Sequence, residues 1–379
     1  MPRNVLLTFN PGSSSIKLGL FTVEDDAPRA FGRGAIDLRH VPLSLHLEEG
    51  GRTSDVTLES AATDDLHEVL EEALGRLTQH FGIDALQAAA HRVVHGGDRF
   101  DGPVRIDGDT LAAIDALAPM APLHQPQSLR LIRALRRLRP DLPQTASFDT
   151  AFHRMQTDLV RRFALPRALF DEGIKRYGFH GLSYKFIAAE LRRRHPELAA
   201  GRVVVAHLGS GASLCGLHGG VSRDTTMSFS TLDGIPMATR GGALDPGVLL
   251  HLQKVRGLSV DALEDMLYHR SGLLGISGIS ADARELAASD APEAREALAL
   301  LALRVAREVA AVATTLGGLD ALVFTGGIGE HQPAVREAIC RHLEWLGKVP
   351  VLVLHTDEEQ VIADDACHVL HPSTSGTSS

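Results

Sequence analysis

The chain has 379 residues, a formal net charge of −9, 44% hydrophobic and 22% charged residues. Such a chain can bury substantial cores and is long enough for two domains, and its acidic balance argues against nonspecific nucleic-acid binding. No apolar run reaches membrane-spanning length, "VLLTF" is too short for a signal-peptide core, and Cys215, Cys340 and Cys367 lack metal-ligand spacing. These features suggest a cytoplasmic protein in a reducing compartment, with neither nucleic-acid nor membrane partners. The runs "RALRRLRP" and "LRRRHP" read as solvated helix faces, because only five of the 38 basic residues are Lys and arginine is favoured throughout.

In chain order, "LLTFNPGSSSIKLGLF" (6–21) passes from an apolar segment through a Gly-Ser turn into alternation of Ile16, Leu18 and Leu20, which predicts a hairpin. It lacks the Gly-Lys-Ser/Thr ending of a P-loop. The first 60 residues read as short strands, followed by an amphipathic helix over "DDLHEVLEEALGRLTQHF" with Leu66, Leu70, Leu74 and Leu77 at helical spacing. A strand "AAAHRVVHGG", helices near 109–118 and 127–139, and a strand "QTASFD" ending at Asp149 complete the first half. Residues 151–200 read as mainly helical, and "RVVVAHLGSGASLCGLHGG" then restarts the opening pattern.

Asn10-Pro11-Gly12-Ser13 falls on His207-Leu208-Gly209-Ser210 at an offset of 197 residues, and Gly19 falls on Gly216. A copy at half the chain length suggests two similar domains, 1–150 and 151–361, with the tail 362–379 as a candidate to complete the first. Two hairpins that share only their turn chemistry are the alternative. A third glycine segment, "LVFTGGIGEHQPAVREAI", reads as a strand running through Gly326, Gly327 and Gly329 into a helix opened near Pro333, a place suited to an anion. Too little chain follows it to build a dinucleotide-binding sheet.

Four polar residues stand in apolar or glycine-rich surroundings: Arg92 in "HRVVHGG", Asp149 in "FDTAFH", His180 in "YGFHGLSY" and Arg240 in "MATRGGALDPG". Singly they read as an ion pair, a helix cap or a turn residue. Together, beside three phosphate-compatible loops, they form the set that phosphoryl transfer needs, because catalysis there is mainly positioning and charge stabilisation.

These motifs, with "NPGSSSIK", "PLHQP", "AHLGSGASL", "GLLGISGIS" and "TDEE" in the same order, resemble the acetate/propionate kinase family over nearly the whole chain. The resemblance implies an α/β fold of two related actin-like, sugar-kinase or Hsp70-type ATPase domains around a nucleotide cleft, usually as a homodimer. It implies direct in-line transfer of the γ-phosphoryl of ATP to acetate, giving acetyl phosphate and ADP, with Mg2+ (or Mn2+) as the metal. Residue by residue, Arg92 resembles the arginine that holds the substrate carboxylate, His180 and Arg240 the groups that stabilise the transferring phosphoryl, and Asp149 the essential aspartate. Val94, Leu123 and Phe179 correspond to the acyl pocket. Lys17, His207, Leu208, Gly209, Ser210, Gly211, Asp282, Ala283, Arg284, Gly327, Ile328, Gly329, Glu330 and His331 correspond to the nucleotide-binding residues, and Asn10 and Glu358 to the magnesium-linked pair. The chain departs from the family pattern at Gln125 and Ser210 (Asn in the family), Ala243 (acidic) and Thr231 (Pro), and Thr231 would border the acyl pocket. A propionate or other short-chain acyl kinase, a nucleotide-driven binding protein of the actin or chaperone type, and a dehydrogenase are the competing readings.

Overall fold

The computed structural model describes residues 3–12, 15–60 and 66–371. Ser13 and Ser14 of the opening turn, the expected helix start before residue 66, and residues 372–379 lie outside them. The chain divides into two compact units, one of residues 1–151 and 357–379, the other of residues 152–356.

In the first unit eight strands form one sheet: β1 (Arg3–Pro11), β2 (Ser15–Glu24), β3 (Ala27–Asp37), β4 (Ser44–Glu49), β5 (Arg52–Thr57), β6 (Ile83–Val93), β7 (Val104–Arg105) and β8 (Gln144–Phe148). Their order is β5-β4-β3-β2-β1-β6-β8-β7, an antiparallel meander continued by β6 and β8 parallel to β1, with the short β7 antiparallel at the edge. Strand alternation sends Val5, Leu7 and Phe9 into a core closed by Val69, Leu70, Leu74, Leu77 and Phe81 of the helix His67–Phe81 and by Leu131 and Leu135 of the helix Gln125–Leu138. The helix Glu358–Leu370 packs against β1, β2, β3, β6 and β8, so the chain returns to its first unit from Asp357 onward.

The second unit carries β9 (Arg202–Leu208), β10 (Ala212–His218), β11 (Val221–Thr225), β12 (Ala321–Thr325) and β13 (Val351–Val353) in the order β11-β10-β9-β12-β13. This again is an antiparallel meander followed by two strands parallel to its first member, as the internal copy predicts. The turns differ by one residue, since Pro11 pairs with Ile16 in the first hairpin and Leu208 with Ala212 in the second. A Cβ on Gly19 would lie 2.6 Å from Phe21 Cε2 and from Thr8 Oγ1 and 3.1 Å from Glu359 Cβ, and one on Gly216 would lie 2.5 Å from Val312 Cγ1. Each lets a helix, Glu358–Leu370 or Pro292–Leu316, lie close to its sheet.

Two local expectations change. Residues 151–200 hold only one long helix, Gly181–Arg194, among short ones and loops. The glycine segment after β12 is already helical over Gly326–His331 before a second helix, Pro333–His342, begins. Glu330 closes that short helix onto itself by accepting from Gly326 N at 2.9 Å, and Arg336 donates to the carbonyls of Gly329 and Glu330. All three cysteines are free, and among the described residues no helix is long and apolar enough to cross a membrane.

Candidate active site

In the first unit, alternation along β1 places Asn10 on the face opposite to Phe9, where the helix Glu358–Leu370 lies. Asn10 Nδ2 donates to Glu358 Oε2 and to Glu359 Oε1, each at 2.9 Å. From β6, Arg92 Nη1 donates to Asn10 Oδ1 (3.3 Å) and to the Pro11 carbonyl (3.1 Å). Its Nε and Nη2 form a fork on Asp149, with Nη2 2.6 Å from Oδ2. Asp149 is 1% exposed, and Arg92 16%. Burial opposes the guanidinium charge, but Asp149, helped by Glu358 and Glu359, outweighs it and raises the pKa of Arg92 above its ordinary value. The family-pattern arginine is therefore already paired with one carboxylate and held by a second side chain.

Gln125 is fully buried and clasps the backbone of His95, accepting from its N–H and donating to its carbonyl at 3.0 Å each. Val94 is buried beside it in sequence, whereas Leu123 is exposed and Lys17 stands exposed across β1–β2 from Asn10.

In the second unit, His180 occupies the left-handed region (φ 57°, ψ 23°) as the N-cap of Gly181–Arg194. A non-glycine residue rarely adopts this conformation, and its ring is held on several sides. Nδ1 lies 2.9 Å from Ser213 Oγ, Ser213 Oγ lies 2.5 Å from Tyr184 Oη, and the ring stacks on His207 at 4.6 Å. His207 Nδ1 in turn lies 2.8 Å from Ser183 Oγ, which meets Thr356 Oγ1 at 3.0 Å. On the other side of the ring stands Gly211. A Cβ built there would lie 3.0 Å from Arg240 Nη2 and 3.3 Å from His180 Nε2, so the two groups converge on the space that glycine leaves. Arg240 is aimed by Nη1 donating to the Thr231 carbonyl at 2.9 Å. Burial lowers its pKa from the ordinary value, and Tyr268 partly offsets this. No carboxylate pairs with it among the described residues.

The strand pairing brings two of the expected nucleotide stretches together. His207 of β9 is the register partner of Thr325 of β12, and a Cβ on Gly326 would meet the Leu208 carbonyl at 2.7 Å. Thus His207, Leu208, Gly209, Ser210 and Gly211 adjoin Gly327, Ile328, Gly329, Glu330 and His331 at one end of the sheet. Asp282 and Arg284 instead engage one another at the start of the helix Ala283–Ala288, with Arg284 Nη2 2.6 Å from Asp282 Oδ2. Ala283 is buried in that helix. Phe179 is buried, its carbonyl accepting from His153 Nε2 at 3.0 Å. Thr231 is buried as well, and its Oγ1 has no hydrogen bond of sound geometry, although the Tyr268 hydroxyl is near enough to interact with it. Ala243 is exposed, and the Thr231 carbonyl, rather than an acidic side chain at 243, fixes Arg240. Sequence reasoning missed Glu359, Ser213, Tyr184 and Tyr268. Only Tyr184 carried a signal, four residues after His180 on one helix face.

Comparison with known proteins gives the family of the chain. The pattern of the acetokinase family matches residues 5–349. An acetate kinase of Rhodopseudomonas palustris is 47% identical over 354 residues, covering 91% of this chain and 87% of that protein. Among solved structures, a propionate kinase from Francisella tularensis superposes with a TM-score of 0.88 at 32% identity, covering 96% and 98% of the two chains. An acetate kinase from Porphyromonas gingivalis gives 0.86 at 30% identity, covering 97% and 100%. The two-domain fold is that of the actin, hexokinase and Hsp70 ATPase class. The chain belongs to the acetokinase family, enzymes that transfer a phosphoryl group to a carboxylate acceptor.

Proposed function

We propose that the chain transfers the γ-phosphoryl group of MgATP reversibly to acetate, giving acetyl phosphate and ADP. The observation that carries this reading is the convergence of His180 Nε2 and Arg240 Nη2 beside Gly211. An anionic nucleophile and an anionic phosphoryl group repel, and a guanidinium without a carboxylate partner, in partly dry surroundings, offsets that repulsion. Acetate, with a pKa of about 4 to 5, is already ionised at neutral pH, so a general base has little to do. A carboxylate oxygen forms the new bond to phosphorus while the bond from phosphorus to the bridging oxygen of ADP breaks, leaving that electron pair on ADP. In this reading the loops at 207–211 and 327–331 hold the nucleotide.

In the first unit, Arg92 fixes Asp149 and keeps a single N–H, on Nη2, for the acid. Asp149 then acts as a positioning group. Magnesium, when bound, supplies charge neutralisation at the phosphates. Glu358 and Glu359, two carboxylates drawn together by the Asn10 amide, are the hard oxygen donors such an ion takes. No three His, Cys, Asp or Glu side chains among the described residues form a metal cage. Manganese would use the same donors.

Propionate as an accepted alternative acid is favoured by Thr231 and by the likeness to a propionate kinase. The reading also includes a homodimer. Its support is the helix Pro246–Lys254, in which no residue is buried and Leu250 is 52% exposed. Lys254 and Arg256 lie at one end of this apolar face and Asp261, Glu264 and Asp265 beyond it, a charge arrangement that a second copy can complement. Trapping acyl phosphate with hydroxylamine across a panel of short carboxylic acids tests the activity, and no product from acetate would overturn it.

A further inference from the structure

We propose that Tyr184 and Ser213 form a one-way hydrogen-bond chain that holds His180 in its Nε2–H tautomer, so that the nitrogen converging with Arg240 beside Gly211 presents a proton instead of a lone pair. The inference rests on the reading in which His180 faces the phosphoryl group, and it adds two positioning residues to that group.

The direction of the chain follows from counting partners. Tyr184 is fully buried, and among the described residues its hydroxyl meets only Ser213 Oγ, at 2.5 Å. A phenol proton buried without an acceptor costs about 1 to 3 kcal/mol, so the Tyr184 O–H donates to Ser213. Ser213 is fully buried too, with Tyr184 and His180 as its side-chain partners. Having accepted from Tyr184, its own proton has one destination, His180 Nδ1 at 2.9 Å. Nδ1 is then the acceptor, and the neutral ring carries its proton on Nε2.

Local structure supplies each member. Tyr184 follows His180 by four residues in one helix, and its N–H donates to the His180 carbonyl at 3.1 Å. Ser213 enters from β10, where it is the register partner of His207, the residue on which His180 stacks. Burial holds the Tyr184 phenol well above its ordinary pKa, so the donor at the head of the chain keeps its proton.

Protonating His180 would require Nδ1–H to donate toward Ser213, which already accepts from Tyr184, and would leave the serine proton without an acceptor. The neighbouring titratable groups act in the same direction. Arg240 is cationic and its Nη2 shares the space beside Gly211 with His180 Nε2, His207 stacks on the ring at 4.6 Å, and Tyr184 and the thiol of Cys215 beyond it remain neutral, burial pushing both up. The chain thus favours one tautomer and opposes the cation.

The test uses the whole enzyme with 15N-labelled histidine and reads the His180 ring nitrogens, assigned with His180→Gln. In the wild type at neutral pH we expect Nε2 protonated and Nδ1 bare. Tyr184→Phe should give a mixture of tautomers and raise the His180 titration midpoint by roughly one pH unit, the equivalent of one net hydrogen bond. Ser213→Ala should move both readouts the same way and serves if the phenylalanine variant fails to fold. A role confined to packing would lower stability without changing the tautomer or the midpoint. An Nδ1–H tautomer in the wild type, or unchanged nitrogen shifts and midpoint in the variants, overturns the proposal. Failure of the functional reading has a different signature: His180→Gln would keep wild-type kcat while the tautomer pattern stayed as expected.

Discussion

Arg92 and Asp149 meet as a fork on a carboxylate, Nη2 2.6 Å from Oδ2 and Nε 3.1 Å from Oδ1, with Asp149 almost wholly buried. Removing one partner takes the two-pronged, charge-neutralising contact from the other in buried surroundings, which typically costs about 3 to 5 kcal/mol. Arg92→Ala should therefore lower both stability and turnover, and the acid's kcat/KM should fall more than that of ATP. Arg92→Ala combined with Asp149→Ala should be less destabilised than the sum of the two, with a coupling of roughly 2 kcal/mol or more. Urea unfolding of the four proteins measures the coupling. Additive effects would show that the pair does not operate as a unit.

Arg240 gives the opposite stability signature, because its hydrogen-bond partner is the Thr231 carbonyl and it neutralises no buried carboxylate among the described residues. Arg240→Ala should lower kcat by roughly 10³-fold or more, by analogy with arginines that stabilise phosphoryl transfer. Substrate KM values and unfolding midpoints should change much less. Arg240→Lys should recover little, because the planar fork is lost. A kcat near that of the wild type would remove the assigned role.

What was legible in the sequence is what lies close along it. The hairpin at 6–21 follows from alternation on both sides of a turn, and the restart at 202 from the same chemistry repeated. Asn10 and Glu358 could be named singly, but 348 residues separate them. Only the return of the last helix to the first sheet joins them, and Glu359 was hidden for the same reason. The glycines of Gly326–His331 read as a continuation of the strand because glycine disfavours helix, whereas the Glu330 carboxylate on Gly326 N and the Arg336 guanidinium on the far end stabilise both termini of a helix there. Arg92 was visible as a cation. Its commitment to Asp149 was not, since composition does not tell which carboxylate takes the fork.

Three buried histidines set a pH dependence. Burial lowers the pKa of His91, His95 and His153 from 6.5 to about 4, only partly offset by Gln144, Asp98 and the Phe179 carbonyl respectively. Above pH 6.5 folded and unfolded forms are both neutral at these sites. Between about 6.5 and 4 the unfolded chain binds protons that the folded chain does not, so stability falls as pH falls through that window, by up to roughly 1.4 kcal/mol per pH unit for each histidine. Urea unfolding between pH 7.5 and 5 should show the decline. His91→Gln should flatten it by about a third, and a slope identical to that of the wild type would mean that His91 is not the group responsible.

The exposed helix Pro246–Lys254 offers a test of self-association. Leu250→Glu places a charge in the centre of the apolar face, where no buried contact of the unit is lost. Light scattering should find the wild type at twice the mass of one chain and the variant shifted toward a single chain at micromolar concentration, with the unfolding profile of the monomer preserved. A dimer unaffected by Leu250→Glu would assign the contact to another surface.

Thr231 combines two effects that separate substitutions can distinguish. Its carbonyl aims Arg240, and its hydroxyl is buried without a sound hydrogen bond, a state that costs about 1 to 3 kcal/mol. Thr231→Val keeps the shape and the carbonyl while removing the hydroxyl, so it should leave kcat within about two-fold and raise stability by roughly 1 kcal/mol. Thr231→Pro also keeps the carbonyl, and among the described residues the Thr231 N–H makes no hydrogen bond that proline would abolish. It replaces a rotating side chain with a fixed apolar ring. If Thr231 borders the acyl group, one methylene of room is worth about 1 to 3 kcal/mol of discrimination, so the proline variant should sharpen the preference for acetate over propionate by about ten-fold. The valine variant should alter that ratio much less, because it changes polarity and not the shape of the wall. The measurement is kcat/KM for both acids in the three proteins. Equal ratios in wild type and Thr231→Pro would show that Thr231 acts on Arg240 alone and takes no part in choosing the acid.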